Sequence, residues 1–379
     1  MKEPCKLEEL IQQYCPDGVE WKILGEVCDI HKGVQFNKTD MKEVGTYPVI
    51  NGGINPSGYA EVFNEGKNTI TISQGGASAG YVNFLRNKFW LGAHCYAVIP
   101  YDTVLNKYLY HFIKMNEVTL QQCQYGAGIP ALAKSTISSL EIPVPPLPVQ
   151  EEIVRILDTF TELQAELQAE LQKRKQQYNY YLDNLLNFNN ISWGGQAEVR
   201  WMKIGDICDV FTGGEVPMES IKRNAPFGSF IYPIWGNGKN IYGYATTYQI
   251  DKDAVCVSSI GANTGAVFFH KAYFTPIIRL KVLIPRNTSI SVRYLFYILS
   301  FVGFDIKKSS VPNMNSNEVK QKVIPIPSLS DQQKIVDILD RFDTLTTDLT
   351  QGLPAEIEKR KQQYEYYRDK LLTFKRKGA

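Results

Sequence analysis

Amide and cationic side chains recur in short polar stretches of this chain, most of them with glycine. The first half carries HKGVQFNK (31–38), NGGINPSGY (51–59), SQGGASAG (73–80) and AGIPALAKS (127–135). The second half carries TGGEVPMESIKR (212–223), GNGKN (236–240), SSIGANTG (258–265) and PNMNSN (312–317). Planar amides can pair bidentately with base edges, and ammonium or guanidinium groups grip phosphates. Glycine lets a backbone N–H come close to a phosphate. On that chemistry Gln35, Asn51, Gln74, Asn237 and Asn263 are the candidate base readers. Lys32, Lys38, Lys134, Lys222, Arg223 and Lys239 are the candidate phosphate contacts.

Other chemistries find no support. Gly236-Asn237-Gly238-Lys239 lacks the spacing and the hydroxyl of a phosphate-binding loop. GASAG and GANTG are not GxGxxG, and they fall between strands rather than opening a helix. No Asn-Pro-Pro-Phe tetrapeptide of an adenine methyltransferase occurs. The PDGVEWK stretch (16–22) holds its carboxylates too close together to stand on two strands of a nuclease site. His31, His94, His111 and His270 have no partner at metal-ligand spacing. The expectation is a non-catalytic chain with no catalytic residue, no metal and no cofactor of its own.

Bulk properties agree. The 379 residues carry a net charge of +2, so any basic surface must be local. Seven cysteines show no CxxC pair, and Cys28 and Cys208, in LGEVCDI and IGDICDV, read as small buried hydrophobes. The N-terminus does not read as a signal peptide and no apolar run approaches membrane-spanning length, so a cytoplasmic protein is expected, with no membrane partner.

The loops need a frame, and the frame is written twice. WKILGEVCDIHKG (21–33) matches WMKIGDICDVFTG (201–213), YPVINGGINPSGYA (47–60) matches YPIWGNGKNIYGYA (232–245), and ITISQGGASAGYV (70–82) matches VCVSSIGANTGAV (255–267). AVIP (97–100) answers VLIP (282–285), and NKYLYHFI (106–113) answers VRYLFYIL (292–299). Each globe alternates short β-rich runs, such as 47–50, 69–73, 81–85 and 96–99, with glycine-rich turns; 107–117 reads as one helix. A short helix, LEELIQQYC, precedes the first globe and stops at Pro16-Asp17-Gly18.

A rod follows each globe. Gln150–Phe188 places Ile153, Leu157, Phe160, Leu163, Leu167 and Leu171 on one helical face, with Pro148 just ahead of it. IPVPPLPVQEEIVRILDTF (142–160) recurs as IPIPSLSDQQKIVDILDRF (324–342), and KRKQQYNYYLDNLLNF (173–188) as KRKQQYEYYRDKLLTF (359–374). Leu345 and Leu349 are the second rod's counterparts in the spacer, where Gly352 and Pro354 are expected to break it. Ile156, Ile338 and the Tyr180-Tyr181 pair are expected to leave apolar edges for a partner to cover. The fold expected is α+β: two β-rich domains separated by two long antiparallel helices, a coiled coil, with internal duplication and pseudo-twofold symmetry. The boundaries read as 1–145, 146–188, 189–327 and 328–379.

With LEELIQQYCPDGVEWKILGEV at the start, the two copies of the Ile-Pro-Val/Ile-Pro helix start and the KRKQQY blocks, the chain resembles the specificity subunit of a type I restriction–modification system over nearly its whole length. The resemblance implies two target-recognition domains, each reading one half of a bipartite asymmetric site on double-stranded DNA. It implies helices that dock two methyltransferase (modification) subunits, and a restriction/translocase subunit that joins to cut. S-adenosylmethionine, ATP and Mg would then sit on those partners. A coiled-coil scaffold with two protein-binding globes is the alternative. A self-contained methyltransferase is disfavoured by the missing pocket.

The repeat Glu162-Leu163-Gln164-Ala165 onward spaces leucines by four. One unit lengthens a helix by roughly 6 Å and turns its end by about 40°, close to the roughly 34–36° twist of one base pair. This segment is therefore expected to measure the gap between half-sites.

Overall fold

The computed structural model describes residues 6–126, 130–188, 199–306, 312–348 and 350–378. The chain divides into two compact units, residues 1–168 with 356–379, and residues 169–355.

In the first unit the strand Thr69–Ser73 is buried along its whole length. It lies inside a four-stranded antiparallel sheet in the order 28–32, 95–100, 69–73, 82–85. Alternation along the strands splits the apolar residues between two faces. Ile70, Ile72, Tyr96 and Val98 join a core with Leu109, Phe112 and Ile113 of the helix Asn106–Met115. Cys95 and Ala97 face a smaller core with Ile50, Phe89 and Leu91. A second sheet, in the order 58–60, 47–50, 90–91, carries that smaller core. A ribbon of Glu20–Ile23 on Glu141–Val144 leads into the long helix.

The second unit repeats this frame. Its main sheet runs 208–212, 281–285, 254–257, 267–270, and its ribbon pairs 200–203 with 323–326. The small sheet gains a strand at Ser220–Ile221. Cys28 and Cys208 are both buried within the cores, as expected from their surroundings in the sequence.

Three expectations for helices need correction. The long helix spans Leu147–Leu186, so Pro148 lies in its first turn rather than ahead of it. A proline there forfeits only an N–H that has no partner within the helix. The helix expected over 107–117 ends at Met115, and a separate short helix, Glu117–Gln122, follows Asn116. Ile156 and Ile338 are not exposed edges; each is half-buried against its unit's core because the globe covers more of the helix than the stripe alone indicates. Tyr180 and Tyr181 do remain exposed, at 64% and 38%.

The C-terminal rod breaks where expected, into Leu329–Thr347 and Leu353–Leu371. The N–H of Gly352 donates to the carbonyl of Asp348 at 3.1 Å. A Cβ there would sit 2.5 Å from the Thr344 oxygen and 2.8 Å from that of Asp348, so only glycine fits the turn. Leu163, Leu167 and Leu345 are half-buried and Leu171 is buried; Leu349 lies outside the described residues.

Identical polar anchors fasten each globe to its helices. Gln150, fully buried in the first unit, donates to the carbonyls of Thr103 (3.0 Å) and Pro145 (2.7 Å) and accepts from Leu105 N (2.8 Å). In the second unit Gln332 donates to Ser289 (2.9 Å) and Pro327 (3.0 Å) and accepts from Ser291 N (2.8 Å). Tyr108 and Tyr294 each donate from their hydroxyls to a ribbon proline carbonyl, Pro143 and Pro325. Asp158 binds Lys107 and His111, and His111 reaches Tyr364 at 2.8 Å. Asp340 likewise binds Arg293 and Tyr297. The duplication thus extends to individual hydrogen bonds.

Candidate nucleic-acid interface

In each unit the glycine-rich loops are stitched together at one end of the main sheet. In the first unit five backbone bonds join four segments, 33–34, 74–76, 91–95 and 130–132. Gly33 N donates to Cys95 O, Val34 N to Leu91 O, Gln74 N to His94 O, Gly76 N to Pro130 O and Leu132 N to Gln74 O. The second unit matches four of these, Gly213 N to Leu280 O, Gly214 N to Pro276 O, Gly261 N to Pro312 O and Met314 N to Ser259 O, and adds Ile278 N to Gly214 O. A loop face of this kind is positioned by the sheet beneath it and leaves its side chains free to differ.

The candidate residues fall into three groups. Lys32, Gln74 and Lys134 come together around Tyr96. Lys32 is its cross-strand partner, the Gln74 amide bonds its hydroxyl, and that hydroxyl lies beside the Lys134 backbone and donates to Leu132 O at 3.3 Å. Burial pushes the Tyr96 phenol above its ordinary value, and nearby Tyr125 adds to this.

Asn51, Asn237 and Asn263 hold the frame itself. The Asn51 oxygen accepts from His94 N at 3.1 Å. Asn237 accepts from Ser259 N at 2.8 Å and donates to the Ile278 carbonyl, and Asn263 donates to Asn237 O at 3.1 Å. The amides of Asn51 and Asn237 are thereby committed to joining loops.

The remaining candidates do not join either cluster. Gln35 donates to Phe36 O at 3.1 Å, and Lys38 opens a short turn at 38–40. Lys222 lies over the Tyr242 ring and Arg223 over Phe227, with Lys239 exposed nearby in sequence. Residues 127–129 of the fourth loop lie outside the described residues.

Two positions escape a reading by residue type. His94 and Arg279 occupy the same place, just before the strands 95–100 and 281–285, and both are exposed. Ile278 and Arg279 both have positive φ, 52° and 58°. A β-branched residue seldom adopts that conformation, and two in succession are held only by their surroundings. Here those are the carbonyls of Gly213 and Gly214, the Asn237 amide and the Ser259 hydroxyl, which donates to Arg279 O at 2.6 Å. Extending the match of AVIP to VLIP upstream by three residues pairs His94 with Arg279 and exposes the position in the sequence.

Residues 16–174 and 197–359 each match the type I restriction modification DNA specificity domain. The chain belongs to that family. The specificity subunit of the Escherichia coli type I restriction enzyme EcoR124I/EcoR124II is 30% identical over 99% of this chain and 98% of its own length. A putative type I restriction enzyme specificity subunit of Haemophilus influenzae is 31% identical over 94% of this chain and 96% of its own. The solved S subunit of a type I restriction-modification system from M. genitalium has the same fold, with a TM-score of 0.69 over 94% of this chain and 96% of that one at 20% identity. The family's domain therefore occurs twice here, one copy for each stitched loop face. Among the described residues no helix is long and apolar enough to cross a membrane.

Proposed function

We propose that this chain is the DNA-recognition subunit of a type I restriction–modification complex. Each loop face reads one half of a bipartite, asymmetric site. The helical segments dock two methyltransferase subunits and set the spacing between the half-sites. A restriction/translocase subunit completes the complex. Methyl transfer from S-adenosylmethionine and ATP- and Mg-dependent translocation belong to those partners in the cytoplasm, and this chain contributes no catalytic group.

The observation that carries this reading is one frame built twice with unlike side chains in its loops. The glutamine and tyrosine anchors repeat bond for bond, whereas His94, Tyr96 and Lys32 in one unit stand where Arg279, Lys281 and Thr212 stand in the other. A protein selected only as a scaffold has no need to keep the frame and vary the loops. Unlike faces call for unlike half-sites.

The test is the methylation motif of cells expressing the chain with a methyltransferase subunit. Replacing residues 21–142 by those of another family member is expected to change one half of the motif and leave the other intact. A palindromic motif traced to this chain, or loss of both halves from a folded complex, would defeat the reading.

The spacing role has its own expected result. Deleting Ala165–Gln168 shortens the unbroken helix by roughly 6 Å and is expected to give the same half-sites with a spacer shorter by one base pair. Retained activity with an unchanged spacer would remove the spacing role alone.

A further inference from the structure

Lys281 opens the strand 281–285 and faces Thr212 across the ladder. It is 6% exposed, and its ammonium donates to Thr212 Oγ1 at 3.1 Å. Thr212 Oγ1 lies 3.1 Å from Ser316 Oγ. Neither Lys281 nor Arg279 forms an ion pair among the described residues. An ammonium has three donors, and a covered charge beside neutral hydroxyls alone is costly. Burial, and then the charge of Arg279, lower the lysine's tendency to hold its proton. Arg279, two residues ahead on the same segment, is the charge that acts on it. Two cations beside hydroxyls, neither paired with a carboxylate among the described residues, make a cradle for an anion.

The first unit carries the same niche with its charges relocated. Tyr96 stands in the place of Lys281, and Lys32 in the place of Thr212, at the same register of the same ladder. Lys134 begins the short helix of the first unit, as Ser316 begins that of the second. Lys32 and Lys134 are exposed and form no ion pair among the described residues. The cation comes from the middle strand in one unit, and from the outer strand and the short helix in the other. What persists is positive charge at one location with no ion-pair partner among the described residues. Retention of the charge, rather than of the residue, is the mark of a site that meets the same group in both units.

We propose that this niche anchors a DNA backbone phosphate in each unit: Lys281 with Thr212, Ser316 and Arg279 in the second, Lys32 and Lys134 beside Tyr96 in the first. The proposal rests on the recognition reading above and deepens it by naming a phosphodiester oxygen as the group bound. A phosphate contact fixes position on the duplex and carries no sequence information. The niche is thereby separate from the residues that read bases.

The experiment uses the complex with its methyltransferase subunit and a duplex carrying the wild-type motif, with binding measured across a salt titration. Lys281→Gln is expected to lower the log–log salt slope by about 1 and leave the methylated motif unchanged. Lys134→Ala, on the exposed side of the other niche, is expected to do the same without a folding penalty. Lys281→Tyr should lose the contact, and Thr212→Lys with Lys281→Tyr should recover it by rebuilding the first unit's arrangement in the second. Thermal midpoints for each variant show that the fold is kept. An undiminished slope in both folded single variants overturns the niche, as does a changed base in the motif of Lys281→Gln. A folded double variant that fails to recover the slope also overturns it. If the wild-type complex itself binds without sequence preference, the recognition reading falls and the niche with it; the former outcomes leave that reading standing.

Discussion

Gln332→Ala is expected to destabilise the protein by about 3–5 kcal/mol, and Gln150→Ala by a similar amount. Each glutamine is fully buried at the first turn of its helix and makes three hydrogen bonds, all to backbone. Truncation leaves two carbonyls and one N–H unpaired where water has no ready access. Each buried group left unsatisfied costs about 1–3 kcal/mol, the N–H more than the carbonyls. The cavity left by the amide adds to the loss. The bonds also connect three separate segments. In the second unit these are the helix start, the end of the ribbon at Pro327 and the loop at Ser289–Ser291 that leads into the helix Val292–Val302. Chemical denaturation measures the effect directly. The neighbouring exposed residue supplies the control, since Gln333→Ala is expected to stay within about 0.5 kcal/mol. A loss below about 1 kcal/mol for Gln332→Ala would show that other groups or water take over these bonds.

The repeated architecture was readable because its signals are local and doubled. Apolar spacing marks the helices, and Tyr-Pro-Val-Ile against Tyr-Pro-Ile-Trp marks matching strands at 47–50 and 232–235. Gly352 and Pro354 mark the break because each acts on the backbone wherever it stands. The anchoring glutamines were hidden for the opposite reason. A glutamine in an amphipathic helix ordinarily faces solvent, and only the folded loop at Thr103–Leu105 or Ser289–Ser291 makes it a buried connector. The loop face was partly legible. Residue type pointed to Lys32, Gln74 and Lys134, which do meet around Tyr96, but it could not separate an amide that faces the solvent from one like Asn237 that joins loops. Lys281 is not legible as a ligand in the sequence, because it stands between Leu280 and the apolar run Val282–Ile284, where its neighbours suggest core rather than a charge.

Acid is expected to weaken the second unit through His270. This residue is 8% exposed, and its Nε2 is buried without a hydrogen-bond partner among the described residues. Its ring stacks on Trp235 with centroids 4.2 Å apart and planes 15° apart, near Phe268 and Phe274. In that apolar stack the imidazolium loses its hydration, and burial lowers the pKa from 6.5 to about 4. The folded state therefore binds a proton less readily than the unfolded chain. The stabilisation is complete above pH 6.5 and is lost as the pH falls towards 4; the loss reaches about 3 kcal/mol once both states are protonated. The first unit offers a natural control. Leu85 occupies the matching strand position, paired with Thr69 as His270 is paired with Ala254. His270→Leu and His270→Phe are both expected to remove this part of the acid sensitivity while keeping an apolar contact with Trp235. Denaturation measured at pH 7 and pH 5 for the wild type and both variants gives the comparison, because carboxylates elsewhere titrate alike in all three. Equal losses between the two pH values in wild type and variants would show that His270 takes up its proton without disturbing the stack.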